Sequence, residues 1–296
     1  MIEMKAKGLS KRYGRLEALK NFEIEINSGD CVVLLGPNGA GKSTFLKIST
    51  NVVHPSSGFV EINGKRVDED PMGALSSVGP LIELPEFYPY LNGKEVLSYV
   101  CKVKGADREM IKSEVNRLTD LLRMNNFMDR KTGQYSRGMK QRLALACSMA
   151  MDPKILILDE PTFGLDPRGM REFVEIIRNL NRKHGKTILF STHLISEARE
   201  IANRVVIING GEKKLEMKNE TDAKMMRVTP YVMSDFSFLE RSGVRVEYEG
   251  KEYVNLTLPD DMDNDGVISL IQRNGIRLKW AEPTNLIERK YLEMVN

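Results

Sequence analysis

The nine residues GPNGAGKST, 36 to 44, constrain the fold of this chain more than any other stretch. They fit G-x-x-x-x-G-K-[ST] and stand between an unbroken apolar run, CVVLLG, and a helix-like KSTFLKISTNV. Strand, glycine loop and helix in that order make a phosphate-binding loop. Gly36, Gly39 and Gly41 let successive backbone N–H groups turn inward onto phosphate oxygens. The helix that follows adds the positive end of its dipole. Lys42 is placed to reach the β- and γ-phosphates, and the Ser43 hydroxyl to ligate Mg2+.

A second apolar run, ILILDEP at 155–161, reads as a buried parallel strand. Asp159 emerges at its carboxyl end, where ligands bind in open α/β sheets. There it is suited to hold Mg2+ through water, with Glu160 beside it to polarise an attacking water. A third strand, KTILFSTH, delivers His193 to the same end of the sheet. The other two histidines, His54 and His184, fall in polar turns and read as ordinary surface residues.

Composition excludes several classes. The 296 residues carry 44 basic and 41 acidic side chains, so no excess of positive charge calls for nucleic acid. Cys31, Cys101 and Cys147 are too scattered for a disulfide framework or a paired metal site, and read as small hydrophobes of a reduced cytoplasm. With charges recurring from Glu3 onward no secretory signal is expected, and no apolar run approaches the roughly 20 residues that span a bilayer.

Strand-like and helix-like segments alternate over residues 1–212, which argues for an α/β unit with a helical subdomain at about 84–152. The charged, glycine-bearing stretch 213–222 reads as a linker. Residues 223–296 then follow a strand, helix, strand, strand, helix, strand order, with a hairpin turn near Gly250. That order predicts a small α+β module of ferredoxin-like type. Within it, DMDNDGVISLIQ at 261–272 nearly matches a calcium loop through Asp261, Asp263, Asp265 and Gly266. Its twelfth position is Gln272, which cannot supply the bidentate carboxylate, so an acidic turn capping a helix is expected instead.

Seven motifs in order now make the chain resemble the ATPase subunits of ATP-binding cassette (ABC) transporters. Tyr13 in LSKRYG resembles the adenine-stacking aromatic. GPNGAGKST follows, then LIELP at the place of the glutamine loop. YSRGMKQR at 135–142 is similar to the L-S-G-G-Q signature, and ILILDEP, FGLDP and STH complete the set. The resemblance implies a P-loop NTPase cassette that binds ATP through Tyr13 and through Gly36, Pro37, Asn38, Gly39, Ala40, Gly41, Lys42, Ser43 and Thr44. It implies Ser43, Asp159 and Glu83 around Mg2+, catalysis by Glu160, His193 and Lys42, and Asp166 in a dimer loop. Ser136 and Gly138 would receive the γ-phosphate bound by a second cassette, so two copies, identical or related, are needed to close a site.

Two positions depart from the general pattern. The signature has Arg137 for the first glycine and Met139 for the glutamine, while Ser136 and Gly138 are kept. Glu83 stands where glutamine is expected. The I-E-x-P sequence followed by FYP, together with YSRGMKQR, resembles the cassettes of bacitracin-resistance and lantibiotic-immunity exporters. The implied role is a cytoplasmic, Mg2+-dependent ATP hydrolase. It would lie on the inner face of the membrane and power a separately encoded permease, with Pro85 to Tyr90 on the docking side. No nucleic-acid partner is expected. The alternative is an ABC ATPase that acts on the ribosome or nucleic acid without a permease.

Overall fold

The computed structural model describes residues 1–83, 85–219, 224–249, 252–259 and 261–295. They form two compact units, Met1–Lys218 and Asn219–Asn296.

The first unit opens with a long hairpin, β1 (Ile2–Tyr13) and β2 (Leu16–Asn27), closed by a tight turn between Tyr13 and Leu16. In β2 the buried Phe22, Ile24 and Ile26 alternate with charged Glu23 and Glu25, the period of a sheet with one dry face. The chain continues through β3 (Cys31–Leu35), α1 (Lys42–Ser49), β4 (Ser57–Ile62), β5 (Lys65–Arg66), α2 (Pro71–Leu75) and β6 (Val78–Leu81). Strands β1, β2, β4 and β5 make an antiparallel sheet in the order β2-β1-β4-β5.

After β6 come the helices α3 (Gly93–Val103), α4 (Arg108–Leu121) and α5 (Arg137–Met149). Each begins on a side-chain cap. Asn92 and Glu95 form a reciprocal capping box on α3, Asp107 caps α4 and Ser136 caps α5. The chain then returns to the main sheet with β7 (Ile155–Asp159), α6 (Pro167–Arg182), β8 (Thr187–Thr192), α7 (Ile195–Ile201), β9 (Arg204–Asn209) and β10 (Glu212–Lys218). The sheet order is β10-β9-β3-β8-β7-β6, parallel from β9 to β6. Strands β3 and β8 are buried at every residue and β7 at all but its last, which explains why they read as continuous apolar runs. Helix α6 buries Phe173, Val174, Ile176, Ile177 and Leu180, a stripe at helical spacing. Cys31 and Cys101 are buried free thiols, and burial pushes those of Cys31 and Cys147 up to about 12, which keeps them unreactive.

One boundary differs from the sequence reading. Residues 213–218, expected to be linker, continue β10 and pair antiparallel with β9 from Lys213 opposite Ile208 to Lys218 opposite Arg204. The reason is that β10 is a sheet edge. Lysine and glutamate there protect the open side from further pairing, and the same composition imitates a linker.

The second unit holds β11 (Lys224–Pro230), a 3-10 turn at Ser237–Ser242, β12 (Arg245–Glu249), β13 (Tyr253–Leu258), α8 (Asn264–Arg273), β14 (Leu278–Thr284) and α9 (Leu286–Val295). All pairings are antiparallel in the order β12-β13-β11-β14, the strand order of a ferredoxin-like module. The expected first helix is a 3-10 turn, and the hairpin turn at Gly250 lies outside the described residues. Val228, Phe236, Leu239, Val254, Leu256, Val267 and Ile271 form the core of this unit.

The aspartate cluster has a local role. The Asp263 carboxylate accepts the Gly266 N–H at 2.7 Å and caps α8. Asp263→Ala is expected to lower stability by about 1 kcal/mol, read as a shift in urea midpoint. Calorimetric titration with calcium should show no micromolar binding in either protein.

Candidate functional site

The parallel strands bring three loops to one edge. Residues 36–41 follow β3, Glu160 follows β7 and His193 follows β8, all at carboxyl ends. Backbone sterics shape the first loop. A Cβ at Gly36 would stand 2.2 Å from the Ile208 carbonyl oxygen. Gly41, at φ 107°, would place one 2.6 Å from the Ala18 carbonyl oxygen. Only glycine lets the loop pass β9 and β2 at this distance.

Lys42 opens α1 and is 4% exposed. Its ammonium donates to the Gly36 carbonyl at 2.8 Å and the Pro37 carbonyl at 3.1 Å, and lies 3.2 Å from Glu160 Oε1. The other Glu160 oxygen, Oε2, lies 3.2 Å from His193 Nδ1. One carboxylate thus joins the loop lysine to the histidine of the neighbouring strand. Glu160 is held by its own backbone. It sits at φ 39°, unusual for a side-chain-bearing residue, and its N–H reaches both the Ser191 hydroxyl at 2.9 Å and the Ser191 carbonyl at 3.2 Å. The Ser191 hydroxyl also donates to Asp159 Oδ1 at 2.6 Å, and Ser43 Oγ donates to that oxygen at 3.1 Å.

Two clefts open onto this cluster. One, of about 460 Å³, runs along Gly39 to Thr44 to Glu160, with Tyr13 on its rim. Tyr13 is 44% exposed, which leaves part of the residue open to the cleft, and Lys11 Nζ stands 5.0 Å from its ring centre. Asn38 and Gly39 are exposed at the loop tip, while Ala40 is buried and its N–H closes the turn onto the Pro37 carbonyl at 3.2 Å. The second cleft, of about 300 Å³, collects Ser43, Glu83, Asp159, Glu160 and Arg137. Glu83 sits at φ 69° and its carboxylate pairs with Lys47 Nζ at 2.7 Å. That hydrogen bond holds the Glu83 carboxyl below its usual range and the Lys47 ammonium above its own.

Ser136, Gly138 and Asp166 do not join Lys42. They line a third cleft, of about 270 Å³, that includes no phosphate-loop residue. The Ser136 hydroxyl caps α5 by accepting the Met139 N–H at 3.3 Å, and Asp166 caps α6 by accepting the Gly169 N–H at 3.0 Å. The predicted residues therefore divide into two groups within one chain.

Sequence reasoning missed three participants. Ser191 organises both Asp159 and Glu160, and a polar pair closing an apolar strand was the only signal for it. Lys47 claims Glu83 from the helix face one turn beyond Ser43, a contact between segments that no motif spans. Phe163 lies under Arg137, whose guanidinium carbon is 5.2 Å from the ring centre.

With this geometry in place, the family described as "ABC transporter" matches residues 19–163. The ATP-binding protein YxlF of Bacillus subtilis, named as an uncharacterized ABC transporter protein, is 30% identical over 296 residues, covering 97% of this chain and 98% of YxlF. The lantibiotic transport ATP-binding protein SrtF of Streptococcus pyogenes is 38% identical over 72% of this chain and 90% of its own. The bacitracin transport ATP-binding protein BcrA of Bacillus licheniformis is 33% identical over 71% of this chain and 67% of its own. Among solved structures, a dimeric ATP-binding cassette in a post-hydrolysis state with ADP and Pi superposes with a TM-score of 0.66 at 28% identity. The match covers 73% of this chain and 99% of that one.

The backbone clash at Gly36 gives a stability expectation. Gly36→Ala should cost roughly 2 kcal/mol by overpacking against β9. Gly39→Ala should cost less, because nothing lies within 4 Å of its Cβ position and only the positive φ opposes it. Urea midpoints of the two variants test this order.

Proposed function

This chain belongs to the ABC transporter ATP-binding proteins, and we propose that it works as one of two cassettes that close on Mg·ATP to drive a separate membrane permease, in the export direction. Binding and hydrolysis of ATP are the activity of this fold. The observation that carries the residue assignment is the bridge Lys42–Glu160–His193, at 3.2 Å on both sides.

The chemistry follows from what the bridge must release. Incoming β- and γ-phosphates offer Lys42 stronger acceptors than the Gly36 and Pro37 carbonyls. Tyr13 stacks the base at the rim of the larger cleft. Once Lys42 turns to phosphate, the Glu160 carboxylate is free to accept a proton from a water aligned with the γ-phosphorus. His193, pulled from Glu160, donates to the γ-phosphate. Ser43 Oγ, Asp159 and Glu83 present three oxygen donors to one cleft, a set that fits Mg2+. When bound, the ion would neutralise charge on the β- and γ-oxygens. Its arrival would compete with Lys47 for Glu83.

The separate cleft at Ser136, Gly138 and Asp166 supports the pairing of two cassettes. In one chain these groups share no cleft with Lys42, so their use at a γ-phosphate calls for a second copy. Among the described residues no helix is long and apolar enough to cross a membrane, which fits a permease supplied by another chain. The transport names of SrtF and BcrA favour an exporter subunit over an ABC protein that acts on the ribosome or nucleic acid. The docking face we assign is Tyr88 and Tyr90, both about two-thirds exposed with ring centres 5.6 Å apart; Phe87 is half-buried beside them.

Glu160→Gln is expected to abolish phosphate release while ATP binding persists and an ATP-dependent dimer accumulates on size exclusion. An undiminished rate removes Glu160 from its role. Tyr88→Ala with Tyr90→Ala should leave hydrolysis by the isolated chain unchanged and remove its stimulation by the reconstituted permease. A collapse of basal hydrolysis would instead make these rings structural.

A further inference from the structure

Glu197, on α7 just beyond His193, has a buried carboxyl that the mechanism above does not use. It is 2% exposed. Its Oε2 accepts the Thr192 hydroxyl at 2.5 Å, and the Thr192 oxygen in turn accepts the Leu194 N–H at 3.0 Å. The residues on either side of His193 are therefore tied to each other through one hydroxyl, and that hydroxyl is tied to α7 through Glu197. The other oxygen, Oε1, is buried with no hydrogen-bond partner among the described residues. Thr162, itself 3% exposed and two residues past Glu160, is the next hydroxyl beside this carboxyl. It belongs to the turn in which the Phe163 N–H returns to the Glu160 carbonyl at 3.0 Å.

Burial pushes the Glu197 carboxyl up, against the pull of the Thr162 and Thr192 hydroxyls and of His193, while nearby Glu160 pushes it further up. The contact the geometry fixes is the one at Oε2, which accepts from Thr192.

We propose that Glu197 is a positioning residue for ATP hydrolysis: by pinning Thr192, whose oxygen also holds the Leu194 N–H, it sets His193 opposite Glu160. The inference rests on the reading of His193 and Glu160 given above. A purely structural glutamate would affect stability alone. A positioning residue acts through His193, and its loss is redundant once His193 is gone.

The test is a double-variant cycle read by steady-state phosphate release, with ATP affinity and melting temperature measured alongside. Glu197→Ala is expected to lower kcat by roughly tenfold or more, since small misplacements of a reacting group cost up to about a hundredfold, with KM changed less than about twofold. Glu197→Gln, whose side-chain carbonyl still accepts from Thr192, should recover kcat to within about threefold. In the His193→Ala background, Glu197→Ala should cost less than about a further twofold. Thr192→Val gives the same kcat loss with Glu197 intact, and serves if the alanine variant does not fold. A normal kcat in Glu197→Ala or Thr192→Val, failure of glutamine to restore it, or losses that multiply with His193→Ala would overturn the proposal. A normal rate in His193→Ala alone would remove the reading of His193 on which it rests.

Discussion

Everything at the nucleotide edge depends on how one buried ammonium is neutralised. Lys42 is almost fully enclosed, and an unpaired charge there would be intolerable. Glu160 and the two loop carbonyls compensate it, and each compensating group is also a switchable one. The carbonyls belong to the glycine loop that follows β3. The carboxylate also meets His193 through its other oxygen. In the proposed role, Glu160 is therefore held as a counter-ion of Lys42 until nucleotide arrives. On that proposal nucleotide binding and release of Glu160 would be one event, phosphate taking the place of the carboxylate on Lys42.

That arrangement explains the strained backbone. Glu160 and Glu83 both sit at positive φ, each at the end of a sheet strand and each with its carboxylate on a lysine of α1. Lys42 and Lys47 stand on one short helix, so α1 anchors the two acids from opposite turns. Strain of this kind persists only where surrounding contacts fix it, here the Ser191 bonds to the Glu160 N–H and the Lys47 pair on Glu83.

Much of this was legible in the sequence because the signals were local. The glycine loop, the apolar strands ending in Asp159 and Glu160, and the histidine after TILFST each depend on a few consecutive residues. Their convergence follows from one rule, that parallel strands bring their carboxyl ends together. What the sequence hid was non-local or compositionally ambiguous. The Lys47–Glu83 pair joins segments 36 residues apart. Ser191 gains its role only once β7 and β8 are aligned, with Asp159 opposite Ser191. Edge strand β10 carries the lysine and glutamate of a linker because exposure demands the same residues from both. Ser136 and Asp166 looked like site residues and also serve as helix caps, since an oxygen that accepts a backbone N–H suits either task.

The segment after β6 shows how the separated clefts are mechanically joined. Glu83 faces the nucleotide edge, and five residues later Tyr88 presents its ring outward. The backbone between 88 and 91 is bonded to the approach of α5. Thr132 Oγ1 donates to the Tyr88 carbonyl at 2.7 Å, the Gly133 N–H to the Pro89 carbonyl at 3.1 Å, and the Thr132 N–H to the Leu91 carbonyl at 2.8 Å. Residue 132 is four positions before Ser136. A displacement at the tyrosine pair is thus shared by backbone bonds with the loop that presents Ser136 and Gly138. Glu83 stands five residues before the same segment, with Pro85 between them. If the tyrosine pair is the docking face proposed above, force applied there would pass first to the approach of α5, because those backbone bonds are the shortest route into the cassette.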